Sequence, residues 1–427
     1  MATRRQPPLS VPFFYGWIVV ALTFCVNLTA AGTRSAATLL IKPLEAEFGW
    51  NRALVSVPGS LNLLLFGIGA PVAGWLVDRY GVRRVVFYSL GIVTAGLLAT
   101  AFIQQWWQLL LFWGLVVGFG TSATPVLAAA VANRWFVKHR GVTIGLLTNG
   151  NAAGQMVFLP LLTLVILASG WRGSMLFMAA VAFGLMVLVS LWMRDEPEDV
   201  GLERYGLAAA GGAAAEAARS GPAASATPIR DAFRSPTFWL LCAGFFVCGV
   251  TANGLIGLHL IPHVVEELGI PFFTASLIFG VMGGISFIGT IGAGWLVDRV
   301  DARKVLALAY FLRGCALFLL PYVDTLPGLI VFATVYGIDW YATGPATTAI
   351  AADTFGRHAV ARIFGWIFLA HQLGASSAGN IAGIVYDVFG EYEYAFLAGA
   401  TMAIIAAALV LQISPQAPRL TPAASSA

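Results

Sequence analysis

Charge is scarce in this chain. Of its 427 residues only 10% are Asp, Glu, Lys or Arg, while 59% are hydrophobic. A soluble domain carries about 25% charged residues, because its surface must face water. With less than half of that complement, most of this surface has to be solvated by lipid, which excludes a soluble globular enzyme. Cysteine and histidine are also sparse, at four and five residues. Cys25, Cys242, Cys248 and Cys315 stand singly in apolar runs. With no CxxC pair and no histidine cluster, neither a disulfide framework nor a metal site is expected; the thiols read as small packing residues. No HExxH, phosphate-binding loop or acidic pair is present, so no cofactor and no catalysis are expected.

What the chain does have is a succession of apolar stretches near twenty residues, the length that ~30 Å of hydrocarbon demands. Twelve spans are predicted: 14–38, 53–77, 84–103, 107–133, 141–168 and 172–193, then 238–262, 273–297, 304–321, 327–351, 361–386 and 394–413. Arg4 and Arg5 before an apolar run, with Thr29-Ala30-Ala31 beyond, imitate a signal peptide. The run continues through Leu39–Ile41 and more spans follow, so it reads as an uncleaved first helix. Residues 194–236 turn polar and then Ala/Gly/Ser/Pro-rich, a composition that cannot bury enough apolar area to fold. They divide the chain into halves 1–193 and 237–427 joined by a flexible linker.

With both termini cytoplasmic, only Arg34, Lys42, Arg52 and Arg172 of the 24 Lys and Arg face outward, and Arg313 lies inside a span. This is the positive-inside bias of a multi-pass inner-membrane protein. The net charge of +4 therefore orients the chain and does not recruit nucleic acid.

The halves are related to one another. Gly74-Trp75-Leu76-Val77-Asp78-Arg79 recurs as Gly294-Trp295-Leu296-Val297-Asp298-Arg299, an offset of 220 that also maps Pro125 onto Pro345 and Gly145 onto Gly365. Parallel six-helix repeats about an axis along the membrane normal are one arrangement that such duplication produces. The stretch GWLVDRYGVRR closing span 2 resembles the signature loop of major facilitator transporters, G-x-L-a-D-r-x-G-r-k; the second copy departs from it where Asp301 replaces the glycine of Gly81. The resemblance implies an all-α membrane fold of twelve helices in two pseudo-symmetric bundles, working by alternating access as a monomer. The helix dipole favours an acid beside a helix N-terminus, so Asp78, Arg79, Asp298 and Arg299 are candidates for a latch between the halves; topogenic charge in tight turns is the plainer alternative.

A finer resemblance rests on Tyr15-Gly16-Trp17, on Lys42-Pro43-Leu44-Glu45 with Phe48-Gly49-Trp50, and on Arg134–Gly141 followed by Gly145, Gly150 and Gly154. These are similar to the monocarboxylate transporters and the bacterial oxalate/formate antiporters. The resemblance implies a small organic anion as substrate, usually with protons. Those families carry charge in span 8, where 273–297 has none, and their first-span lysine falls at or beside Ser35, next to Arg34.

An ionisable residue at the bilayer centre costs at least ~2.5–3.5 kcal/mol, which makes each one a functional candidate. Arg34 can grip a carboxylate with its fork, or snorkel to the outer headgroups. His371, with Gln372 beside it, pairs through the 220 offset with Asn151, and Asn149 is near; together they are candidates for a midplane substrate site, with His371 as proton carrier. An interhelical hydrogen bond of about 0.6 kcal/mol is the alternative. Arg313 and Asp339 fall at similar depth on the hairpin of spans 9 and 10 and read as a structural ion pair, and His259 and His263 as gate or interfacial residues. Proton-coupled monocarboxylate transport is the leading expectation. Organic-anion exchange is its neighbour, and proton-antiport export of a drug or hydrophobic metabolite its rival.

Overall fold

The computed structural model describes residues 12–207, 229–297, 299–355 and 360–414; Asp298 and 208–228 of the expected linker lie outside the described residues. The side chains of 140, 141 and 360–362 are likewise not described. The spanning helices are α1 (Gly16–Phe48), α2 (Arg52–Tyr80), α3 (Val82–Ala101), α4 (Trp106–Trp135), α5 (142–169), α6 (171–192), α7 (Pro236–Glu266), α8 (Phe272–Val297), α9 (Ala302–Tyr322), α10 (326–355), α11 (Val360–Phe389) and α12 (Glu393–Leu411). Helix is what hydrocarbon permits, since a helix satisfies its backbone groups within one segment.

Several boundaries depart from the expected spans for local reasons. The first helix runs ten residues past 38, through Pro43, and stops only at Gly49 in the left-handed region (φ 67). Lys42 and Glu45 are thereby helical, facing the start of α2, whose Asn51 cap accepts from the Leu54 N–H at 2.9 Å. The division expected between 168 and 172 falls at Gly170, φ 74, a conformation that glycine adopts without strain.

The helices α4 and α10 break inside the membrane at equivalent places. Pro125 and Pro345 carry no N–H and leave a carbonyl of the preceding turn free. In α4 the Thr124 hydroxyl donates to the Thr121 carbonyl at 3.0 Å. In α10 the first segment ends at Asp339 and the next begins at Thr343. The carbonyls of Asp339 and Trp340 each accept from Arg313 Nη2 of α9 at 3.0 Å. Broken backbone is tolerated at this depth because a neighbouring helix re-satisfies it.

Glycine sets how closely the helices approach. A Cβ at Gly249 of α7 would collide with the His371 carbonyl of α11, and one at Gly374 of α11 with the Phe246 carbonyl of α7. Between the halves α2 lies along α11, α5 against α8 and α1 against α7. The interhalf segment is structured as far as 207. Tyr205 donates its N–H to the Trp135 carbonyl and accepts from Val137 and Lys138, while its ring meets Phe14 and Phe136. Backbone bonds and aromatic packing hold a stretch whose composition alone suggests a free linker.

Candidate functional site

Arg34, near the middle of α1, points into the seam between the halves. Its Nη2 donates to Asn151 Oδ1 of α5 at 2.7 Å, and its guanidinium lies 4.1 Å over the Phe66 ring of α2. Its buried Nη1 has no hydrogen-bond partner among the described residues. Phe66 meets Phe368 of α11 edge-on at 5.7 Å, and Phe368 stacks on His371, 5.7 Å apart and 8° from parallel. Across the same seam Gln155 Nε2 of α5 donates to the Tyr341 hydroxyl of α10 at 3.3 Å. His371 is buried, with Nδ1 3.2 Å from Gln372 Oε1, and Gln372 packs against Gly67. Gln155 Oε1 and Gln372 Nε2 are also buried without partners among the described residues. Buried polar atoms nearly always have one, so three such groups at one seam form a place where a polar ligand or water is wanted.

Of the residues singled out from sequence, the fold gathers Arg34, Asn151, His371 and Gln372 on this seam. Asn149 stands apart, its Nδ2 turned back on the Gly145 carbonyl of its own helix at 3.0 Å. Sequence reasoning passed over Phe66, Gln155, Tyr341 and Phe368. Gln155 had a usable signal, standing one helical turn beyond Asn151; an aromatic among aromatics had none.

Arg313 is fully buried and satisfied throughout. Nε donates to Asp339 Oδ2 at 2.6 Å, Nη1 to Cys248 Sγ at 3.0 Å and Thr251 Oγ1 at 3.5 Å, and Nη2 to the two α10 carbonyls. With no N–H to spare it has nothing to offer a substrate.

A second charged assembly, unforeseen in sequence, lies at the start of α2. Arg52 is 3% exposed and holds two carboxylates, one from each half. Nε and Nη2 donate to Glu45 of α1, both at 2.6 Å, while Nη1 and Nη2 donate to Glu266 of α7 at 2.8 and 2.5 Å. Lys42 pairs with Glu266, Arg52 Nη1 also donates to the Tyr392 hydroxyl at 2.8 Å, and the guanidinium lies 4.0 Å over the Tyr386 ring. Asp387 of α11 accepts from the backbone N–H groups of Arg52 and Ala53 at 3.0 and 2.8 Å. Sequence showed Arg52 only as one of few outward charges, because its partners lie up to 340 residues away.

At the other end of α2, some 40 Å off at 1.5 Å per residue, no such clasp forms around the signature loop among the described residues. Asp78 and Arg79 are exposed, and Arg79 lies over Trp75 and Tyr80 of its own helix. Arg299 likewise covers Trp295 at 4.1 Å, and Asp298 is outside the described residues. In the second copy Asp301 caps α9 through the Arg303 N–H at 2.9 Å, and the Arg303 guanidinium holds its carboxyl below the usual range.

A family model described as Major Facilitator Superfamily matches residues 22–379, and again 248–427. The MFS-type transporter YcxA of Bacillus subtilis is 21% identical over 420 residues, covering 93% of this chain and 95% of its own. Monocarboxylate transporter 13 of Rattus norvegicus is 25% identical, covering 93% of this chain and 88% of its own, and human monocarboxylate transporter 11 is 25% identical over 90% and 79%. Among solved structures, a bacterial homologue of the human lysosomal transporter Spinster superposes with a TM-score of 0.73 at 16% identity, covering 94% of this chain and 97% of its own. A D-xylose–proton symporter gives 0.73 at 13%, covering 94% and 99%.

Proposed function

The chain belongs to the Major Facilitator Superfamily and is a multi-pass membrane transporter, not an enzyme; from that premise we propose that it carries a small, monocarboxylate-like organic anion, coupled to protons. The observation that carries this reading is the Arg34 guanidinium, set in the seam between the halves with Nη1 unpartnered. A carboxylate takes two parallel bonds from such a fork. Arginine stays protonated and so suits the anion rather than the proton. Asn151, Gln155, Tyr341 and Gln372 supply neutral donors around it, and His371, whose imidazole can both accept and donate a proton, is assigned the proton. The names of the 25%-identical relatives support the same substrate class.

The halves 1–193 and 237–427, joined through 194–236, act as the moving bodies of a monomer. Both termini lie in the cytoplasm of a cell whose inner membrane holds the chain, as the distribution of Lys and Arg suggests. Arg313 and Asp339 serve structure, while Asp78, Arg79, Asp298 and Arg299 latch the cytoplasmic face in the opposite conformation. Export of a hydrophobic metabolite by proton antiport is a second reading, favoured by the Phe66 and Phe368 rings on the seam.

The test is uptake of labelled two- to six-carbon mono- and dicarboxylates into proteoliposomes, with and without an imposed pH gradient. Saturable carboxylate uptake driven by the gradient is expected. His371→Gln should spare exchange and lose accumulation. Indifference to every carboxylate, with gradient-driven movement of an apolar cation, would replace the first reading by the second.

A further inference from the structure

The seam around Arg34 leaves one buried polar chain unused, at the outer end of α7. His259 is fully buried, with Nε2 2.8 Å from the Gly379 carbonyl of α11 and Nδ1 3.0 Å from the Tyr392 hydroxyl. A carbonyl oxygen only accepts, so Nε2 carries a hydrogen. The Tyr392 oxygen already accepts from Arg52 Nη1 at 2.8 Å, which leaves its own hydrogen for Nδ1. The donors therefore run in one direction, from Arg52 to Tyr392 to His259 to Gly379. That chain begins on α2 and ends on α11, so it ties the first half to the second.

The direction holds only while the imidazole is neutral. A proton on Nδ1 makes it a donor, so two N–H groups converge on one phenol oxygen whose hydrogen then has no acceptor in the chain. It also adds positive charge near Arg52. Arg52 and Glu266 are the charges that act on the His259 ring. Further out, α1 contributes Glu45 on Arg52 and Lys42 on Glu266; α7 contributes His263, 2.9 Å from Glu267. From α11 come Tyr386 beneath Arg52 and Asp387 on the α2 N-terminus. Both Glu266 oxygens are engaged by Arg52.

We infer that His259 is a proton-binding site of the transport cycle, whose protonation reverses the Tyr392–His259 hydrogen bond against the fixed Arg52 donor and releases the outer face. This rests on the reading of the chain as a proton-coupled transporter and adds to His371 a titrating group at the gate.

The outer face can be watched without substrate. With Cys25 and Cys315 replaced by Ser, spin labels at Ala46→Cys on α1 and Pro271→Cys before α8, both exposed positions, report its width in lipid nanodiscs. The open fraction should rise as pH falls from 8 to 5, with the open-to-closed ratio gaining up to about tenfold per unit. His259→Gln keeps a neutral donor for Gly379 and cannot take the proton, so its ratio should be flat. Tyr392→Phe keeps the imidazole but removes the group that reads it; the open fraction should be raised at every pH, with a reduced slope. A wild-type ratio that ignores pH overturns the inference, and so does an undiminished slope in His259→Gln or, should that variant not fold, in Tyr392→Phe. No anion is present, so the outcome is independent of the carboxylate panel.

Discussion

Arg34 and Arg313 both sit at membrane depth, and their surroundings separate their roles. Arg34 keeps a buried Nη1 open on the seam, whereas Arg313 is saturated by Asp339, Cys248, Thr251 and two carbonyls. Arg34→Ala should reduce carboxylate uptake at least tenfold, and Arg34→Lys should retain part of it, since an ammonium keeps the charge and loses the fork. Initial rates in proteoliposomes decide this; a normal rate in Arg34→Ala would place the anion elsewhere. Removing one member of a buried pair costs about 3–5 kcal/mol because the other charge is left uncompensated. Folded yield on size exclusion should therefore collapse in Arg313→Gln and in Asp339→Asn, and recover substantially when both are combined. Yield in the double variant no better than in the singles would refute the coupling. Sequence pointed to these arginines because charge in an apolar run is rare. It named Asp339 as the partner of Arg313 but not the surroundings of Arg34, since Gln155, Tyr341 and Phe66 look ordinary until the seam brings them together.

At the scale of the element, the number of helices was legible and their joints were less so. Apolar length marks a span but not its end: the first helix runs on through Pro43 to Phe48, ten residues past 38. That Thr124 meets the carbonyl freed at Pro125, and Arg313 two carbonyls at the break in α10, required the fold. The abutting glycines of α7 and α11 carry a prediction. Gly374→Val must force its side chain toward the Phe246 carbonyl, and overpacking of this kind costs typically 1–3 kcal/mol. Gly292→Ala on α8, where an added Cβ meets nothing within 4 Å, should be neutral or slightly stabilising. Thermal midpoints in detergent should separate the two variants by several degrees, and equal midpoints would mean that the α7–α11 contact yields.

For the whole molecule, the two ends of α2 present opposite pictures. The Arg52 end is clasped across the halves, while Asp78 at the far end is exposed with no ion pair among the described residues. The repeat in the sequence revealed the symmetric signature loops, but not which face this conformation seals, because that depends on tertiary pairs such as Arg52 with Glu266. If the loops latch the alternative state, Asp78→Asn should lower turnover severalfold with expression intact. Wild-type rates in both Asp78→Asn and Asp298→Asn would remove the latch. The clasp at Arg52 has one more consequence, for ionic strength. Mobile ions screen exposed charges within a Debye length of about 10 Å at 0.1 M and 3 Å at 1 M, and reach buried pairs much less. Arg52 and Glu266 have side chains only 3% and 8% exposed, so their attraction survives in concentrated salt, whereas a latch built on the exposed Asp78 is weakened. Raising salt from about 0.05 to 1 M should therefore shift the spin-label distances toward the state in which Arg52 is clasped. A population that drifts the other way would mean that the exposed loops, and not the buried clasp, hold the stronger grip.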